Sequence, residues 1–259
     1  MTTTTPELRT TLARTLHEAE RTRTEVPPLT TTYPDLTLDD AYLIQEELVR
    51  ISGGQVVGLK AALTSRAKQQ AMNVSQPGFG VLLDWMQVDD VLDTSGLIHP
   101  RVEPEVALFF EDFFLTRRLT ASCVARQVKG FAAAFEVIDS RYQKFTFTAS
   151  DVYADNCSSA RYALAPTILR TAPEDLIHAG VVVEKNGEVV QTGTPAAVLG
   201  HPFASAAFIL NLAFERRVAL PSRFVLLTGG ITEAVPVVPG DHMRASFGGG
   251  FGDVSLRVA

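Results

Sequence analysis

Arg101-Val102-Glu103-Pro104-Glu105-Val106-Ala107-Leu108-Phe109-Phe110 is the stretch whose reading decides the fold, and Ala134-Phe135-Glu136-Val137-Ile138-Asp139-Ser140 answers it further along the chain. In an extended strand successive side chains alternate faces, so Glu103 and Glu105 project to one side. Two carboxylates side by side repel unless a cation lies between them. Glu136 adds a third carboxylate from a second strand-like run whose neighbours are apolar, where an unpaired charge is costly to bury. Three converging carboxylates on a rigid sheet suit a hard divalent cation, Mg²⁺ or Mn²⁺, which prefers oxygen ligands. By itself E-x-E also describes an edge strand with two solvated glutamates, so the rest of the chain has to decide.

The 259 residues are 46% hydrophobic and 20% charged, ordinary for a globular enzyme with a sizeable core. A net charge of −6 argues against a nucleic-acid partner, which calls for a basic face. Met1-Thr2-Thr3-Thr4-Thr5-Pro6 has no apolar leader core, and the apolar stretch Ala204 to Phe214 is too short to span a bilayer, so no membrane partner is expected. Cys123 and Cys157 lack CxxC spacing, which gives neither a disulfide framework nor a zinc site. Both are expected to be reduced in a cytoplasmic protein.

Working outward, Leu8, Leu12, Leu16 and Ala19 share one face of a helix over Pro6 to Arg23, and Pro27-Pro28 breaks it. Thr37 with Asp40 forms the capping box of a second helix with Ala41, Ile44, Leu48 and Ile51 on its buried stripe, ended by Ser52-Gly53-Gly54. Residues 1–54 therefore read as a helical arm and residues 55–259 as a strand-rich unit. Val56 to Leu63 is a strand carrying Lys60, followed by a short helix capped by Thr64 or Ser65 whose amides can hold an anion. The turn Gln76-Pro77-Gly78-Phe79-Gly80 enters an apolar run ending in Asp84. Residues 152–161 form a polar cluster that reads either as a ligand-binding loop or as a capped turn. Asn186-Gly187 closes a hairpin between β-branched runs, an apolar helix follows Pro202, and strands return at Phe224, Val235, Met243 and Val254.

Several of these segments, in this order, carry a resemblance: Gly58-Leu59-Lys60, Pro77-Gly78-Phe79-Gly80, Glu103-Pro104-Glu105, Phe135-Glu136-Val137-Ile138-Asp139-Ser140-Arg141-Tyr142, Ala154-Asp155-Asn156-Cys157-Ser158-Ser159, Glu184-Lys185-Asn186-Gly187-Glu188, Ala196-Ala197-Val198-Leu199-Gly200-His201-Pro202 and Leu227-Thr228-Gly229-Gly230-Ile231-Thr232. From about Leu36 onward the chain resembles the 2-keto-4-pentenoate hydratase and 4-oxalocrotonate decarboxylase family of the fumarylacetoacetate hydrolase-like superfamily. The resemblance implies an α+β fold in which a mixed β-sheet rolls into a barrel-like core with outer helices. It implies Glu103, Glu105 and Glu136 as ligands of Mg²⁺ or Mn²⁺. Lys60 and Asp84 fall where the family places polar active-site groups, and Asp155 and Ser158 or Ser159 lie in its polar loop; Thr64 and Ser65, at the cap of the short helix, are expected to bind the substrate. Cys157, where many relatives carry alanine, is expected to expose a thiol sensitive to oxidation.

Family substrates are 2-oxo acids with a conjugated chain. The decarboxylase branch releases a distal carboxylate of 2-oxo-3-hexenedioate as CO₂, whereas the hydratase branch adds water to 2-hydroxypentadienoate. Lys60, desolvated beside a metal, is expected to have a lowered pKa and to orient or protonate the enolate oxygen. Three segments resemble the decarboxylase branch more closely: Asp139-Ser140-Arg141-Tyr142 with Phe145, Ser158-Ser159-Ala160-Arg161, and Thr228 to Thr232. Arg161, where hydratases tend to have glycine, is expected to recognise the second carboxylate by a bidentate contact or else to be a structural partner of an acidic residue. A C–C hydrolase needs a His–Glu pair that the scattered histidines do not place. The resemblance also implies a homo-oligomer and admits a complex with a paralogous hydratase, either as an enzyme or as a non-catalytic partner.

Overall fold

Local chemistry sets the first helices. Thr5 accepts from the Leu8 N–H to cap α1 (Pro6–Thr22), with Pro6 in the first turn where its missing N–H costs nothing. After the Pro27-Pro28 break and the single turn α2 (Leu29–Thr32), α3 (Leu38–Ser52) opens on the expected capping box of Thr37 and Asp40. Asp40 is fully buried and also accepts from the Thr3 and Thr4 N–H groups, which ties the start of the chain to this helix. The structure, a computed structural model, describes residues 3–113, 118–172 and 175–259.

The remaining helices are α4 (Arg66–Ala71), α5 (Ala121–Gln127), α6 (Ala149–Ala154) and α7 (Pro202–Glu215). The strands are β1 (Val56–Ala62), β2 (Gly78–Leu83), β3 (Gln87–Val88), β4 (Val91–Leu92), β5 (Arg101–Phe110), β6 (Val128–Ile138), β7 (Ser159–Leu164), β8 (Val181–Lys185), β9 (Glu188–Gly193), β10 (Phe224–Leu227), β11 (Val235–Pro236), β12 (His242–Phe247) and β13 (Gly252–Val258). They form two sheets. The larger, in the order β2-β1-β10-β5-β6-β7-β3 with β11 added to β5, is mixed: β1–β10 and β3–β7 run parallel and the other pairs antiparallel. It curls into a half-barrel. The smaller sheet, β4-β13-β12-β8-β9, lies with β12 and β13 against β6 and β7. The Asn186-Gly187 hairpin joins β8 to β9 with both turn residues at positive φ, 56° and 85°, as a two-residue turn matched to strand twist requires.

Leu12 and Leu16 of α1 and Ile44 and Leu48 of α3 belong to one apolar cluster with Leu59, Leu82 and Phe135 of the large sheet. The helical arm thus packs on the sheet, and Gln45 fixes its position by donating to the Phe79 and Tyr153 carbonyls, both at 3.0 Å. The segment Pro195–Glu215 is apolar and long enough in residue count to cross a membrane. Its α-helix, however, has 14 residues, about 21 Å of rise against the roughly 30 Å of a hydrocarbon core. It buries Ser205, Ala206, Ala207, Ile209 and Leu210 in the molecule.

Candidate metal centre

Antiparallel pairing brings the three carboxylates together. Glu103 of β5 is the direct Cα partner of Glu136 on β6, so both side chains rise from the same face, and Glu105 follows one pleat along. All three are buried, and one carboxylate oxygen from each lies within 4.8 Å of the others. The glycines after β10 let the backbone close over them. The Gly229 N–H donates to Glu105 Oε2 at 2.6 Å, and at Gly230 a Cβ would stand 2.1 Å from Glu103 Oε2.

Two ammonium groups face the three carboxylates. Lys68 Nζ donates to Glu103 Oε1 at 2.6 Å. Lys60 Nζ lies 3.0 Å from Glu136 Oε1, an ion-pair distance outside hydrogen-bond geometry, and donates instead to the Cys157 carbonyl at 2.9 Å. Glu105 Oε1 and both Glu136 oxygens are therefore buried without a hydrogen bond. Burial, reinforced by the neighbouring Glu136 charge, drives the Glu105 carboxyl well above the usual glutamate range. Burial also raises Glu136, against the pull of Lys60. Buried carboxylate oxygens that converge, lack donors and outnumber their cations are what a hard divalent ion needs as ligands. The residues fit such an ion.

The lowering expected of Lys60 is that of a lysine beside a metal ion; the carboxylates by themselves act the other way. Burial alone would lower it, but the charges of Glu136 and Glu105 outweigh that effect and hold the ammonium above the ordinary lysine range. The carboxylates that suit a cation also keep this lysine protonated.

Opposite the triad is an unusual turn. Asn156, Cys157 and Ser158 are all left-handed, at φ 48°, 54° and 57°, a conformation costing about 1–2 kcal/mol per residue outside glycine. It is held by Asn156, whose Oδ1 accepts from the Val81 N–H at 2.7 Å and whose Nδ2 donates to the Val81 carbonyl at 2.9 Å. Those groups belong to β2, at the sheet edge. The turn delivers the Cys157 carbonyl to Lys60 and leaves the buried Ser158 hydroxyl without a protein partner. A cavity of about 340 Å³ joins these parts, lined by Lys60, Thr64, Lys68, Glu103 and Ser158 and, further out, by Arg101, Phe145 and Phe147.

No family model matches the chain. It is 43% identical over 249 residues to a 4-oxalocrotonate decarboxylase of Pseudomonas sp. (strain CF600), covering 92% of each chain. It is 33% identical over 250 residues to a 2-keto-4-pentenoate hydratase of Paraburkholderia xenovorans (strain LB400), covering 95% of this chain and 93% of that one. The chain belongs to the hydratase and decarboxylase family. A solved member, 4-oxalocrotonate decarboxylase from Pseudomonas putida G7 complexed with magnesium and adipate, matches with a TM-score of 0.95 and 39% identity over 100% of both chains. More distant solved structures of the fumarylacetoacetate hydrolase superfamily share the fold alone.

For this family member the structure sorts the residues read from sequence. Glu103, Glu105, Glu136, Lys60, Thr64 and Ser158 come together. Five do not reach the cavity. Asp84 is exposed beyond the end of β2, where its Oδ1 accepts from the Gln55 and Trp85 N–H groups and shapes a turn. Asp155 is spent on Arg141, whose Nε donates to Asp155 Oδ1 at 2.5 Å and whose Nη2 donates to its carbonyl. Burial works against that guanidinium, but Asp155 holds it above the usual arginine range. Ser159, though buried and unpartnered, opens into a separate recess beside Arg141. Ser65 caps α4 by accepting from the Lys68 N–H. Arg161 pairs in register with Val137, so it lies on the sheet face opposite Glu136, over the Trp85 ring at 4.9 Å.

Cys157 is also corrected: it is buried, and burial pushes its thiol up to about 12, so it is no exposed reactive group. Sequence reasoning missed Lys68 and Arg101. Arg101 had a signal, since it precedes Glu103 by one pleat and must share its face. Lys68 had none, because its reach to Glu103 depends on how α4 folds over the sheet.

Proposed function

We propose that this chain catalyses the divalent-metal-dependent decarboxylation of 2-oxo-3-hexenedioate (4-oxalocrotonate) to 2-hydroxypenta-2,4-dienoate and CO₂, in meta-cleavage-type degradation of aromatic compounds. The observation that carries the reading is the buried triad of Glu103, Glu105 and Glu136, in which three oxygens lack a donor and Glu103 lines the cavity. The identity to named decarboxylases supports the branch, and adipate in the solved relative supports a six-carbon dicarboxylic substrate.

Glu103, Glu105 and Glu136 would hold the ion, Mg²⁺ or Mn²⁺. When bound, it supplies Lewis-acid stabilisation of negative charge at the 2-oxo end of the substrate. Breaking the C5–C6 bond releases CO₂ and sends the electron pair through the conjugated chain to the 2-oxo oxygen. Lys60 would donate a hydrogen bond to that oxygen and supply the proton that completes the 2-hydroxy group. The unpartnered Ser158 hydroxyl and Thr64 orient the substrate, while the flanking apolar side chains Phe147 and Val152 limit the access of water to the cavity. Residues 55–259 form the catalytic unit in this reading and residues 1–54 a supporting arm. A cytoplasmic homo-oligomer, with or without a paralogous hydratase as partner, is the assembly we infer.

Hydration of 2-hydroxypentadienoate is the second reading, favoured by the identity to a 2-keto-4-pentenoate hydratase. No histidine is among the described residues lining the cavity, which disfavours a C–C hydrolase using a His–Glu pair. Incubating the protein with each substrate in Mg²⁺, with CO₂ trapping and ultraviolet absorbance, separates the branches. CO₂ from 2-oxo-3-hexenedioate, abolished by chelation, with no hydration of 2-hydroxypentadienoate is expected. Hydration without CO₂ release refutes the decarboxylase reading.

A further inference from the structure

The end of the cavity beyond Glu103 is arranged for a second negative charge. Arg101 begins β5, and strand alternation puts its side chain on the same face as Glu103 and Glu105. It lines the cavity together with Ile138, its partner across β6, and with Phe145. Its guanidinium carbon stands 4.0 Å from the centre of the Phe145 ring. The other cavity cations are committed, Lys60 to Glu136 and Lys68 to Glu103, whereas no ion pair among the described residues includes Arg101. Glu233, the acidic side chain at this end, is exposed at the mouth. A half-buried arginine stacked by its face on an aromatic ring keeps its hydrogen-bonding edge open, in the fork geometry that matches a carboxylate.

The spacing suits a particular ligand length. One pleat separates Arg101 from Glu103, about 6.6 Å along the strand. The terminal carbons of an extended six-carbon diacid are about 6 Å apart, five bonds each advancing roughly 1.25 Å. A 2-oxo acid whose oxo end sits at the carboxylate triad therefore presents a far carboxylate to the guanidinium. We propose that Arg101 recognises the distal carboxylate of a dicarboxylic 2-oxo acid and sets the preference for diacids over monoacids. The inference deepens the decarboxylase reading and rests on it for the substrate class. Arg161, on the opposite face of the sheet, is in no position to take this role.

The contact favours the charged ground state that decarboxylation abolishes, so its removal should raise KM for the diacid without lowering kcat. The test uses the full chain loaded with Mg²⁺ and calorimetric Kd values for 2-oxohexanedioate and 2-oxohexanoate. These have equal length, differ only at the far end, and lack the double bond the proposed reaction needs. Wild type is expected to bind the diacid about 10- to 100-fold more tightly, the range for a charged bidentate contact. Arg101→Met is expected to erase that preference while leaving the monoacid Kd and the Mg²⁺ Kd within about twofold, and Arg101→Lys to restore part of it. The proposal is overturned if wild type shows no preference, if Arg101→Met keeps it, or if both ligands weaken together. If 2-oxo-3-hexenedioate releases no CO₂ yet the preference is present and lost in Arg101→Met, the decarboxylase reading fails and the Arg101 assignment stands. CO₂ release with an unchanged preference in the variant has the reverse meaning.

Discussion

Gly230→Ala should disable the metal centre while leaving the fold standing. A Cβ at Gly230 would lie 2.1 Å from Glu103 Oε2, 2.6 Å from its Cδ and 3.2 Å from Lys68 Nζ, more than about 1 Å inside ordinary contact distance. The obstacle is the far end of a side chain, so the conflict resolves by swinging the carboxylate and not by parting strands. Overpacking of this kind costs about 1–3 kcal/mol, a melting temperature lower by a few degrees. A carboxylate displaced by about 1 Å no longer converges with Glu105 and Glu136, and Mg²⁺ affinity should fall about 10- to 100-fold, as when a metal ligand loses its orientation. Gly58→Ala is the contrasting case, because its Cβ would stand 2.1 Å from the Val225 backbone oxygen in the β1–β10 pairing. That clash separates strands and should cost more than about 3 kcal/mol. Calorimetric Mg²⁺ titration beside thermal unfolding reads both effects. A Gly230→Ala protein with Mg²⁺ affinity within twofold of wild type would refute the argument that this glycine shapes the centre.

Further expectations concern protons, the thiol and the turn. Because the Glu105 carboxyl is raised by burial and by Glu136, the metal-free protein binds more protons than its unfolded chain and loses stability as pH rises from the ordinary glutamate range through that raised value. The ion needs the deprotonated form, so the increase in melting temperature given by a fixed Mg²⁺ concentration should be larger at pH 8 than at pH 6; an increment that is flat or falls with pH contradicts this. With its thiol pushed up to about 12 by burial, Cys157 should stay unmodified by iodoacetamide at pH 8 in the native protein and react after unfolding, as peptide mass spectrometry would report; alkylation in the native state sinks the claim. Asn156→Ala strips both Val81 backbone groups of their partners and should destabilise by about 2–6 kcal/mol in urea unfolding, at roughly 1–3 kcal/mol per buried group left unpaired; a loss under about 1 kcal/mol means the left-handed turn holds itself.

Much of the fold could be read in advance, because its signals are local. The capping box of Thr37 and Asp40, the Pro27-Pro28 break and the Asn186-Gly187 turn act within a few residues and appear where expected. The shared face of Glu103 and Glu105 follows from strand geometry, and the same geometry holds Arg101, which went unread because a lone arginine carries no motif. The polar stretch 152–161 could be read only as a loop or a turn. It proves to be the end of α6, a left-handed turn and the start of β7, since three consecutive non-glycine residues at positive φ depend on distant partners such as Val81 and Lys60 as well as on the local bond from the Ser158 N–H to the Asp155 carbonyl.

The sequence by itself therefore determined the elements, the family resemblance and the pair of carboxylates on one strand, all properties of spacing along a chain. Only the tertiary structure decided which side chains share a cavity. Register put Glu136 opposite Glu103 and turned Arg161 away, Asp155 was consumed by a buried arginine, and Lys60 became a held cation because the carboxylates around it outweigh its desolvation. Pairing register and burial depend on contacts between residues far apart in the chain, and a charge takes its state from the sum of those contacts.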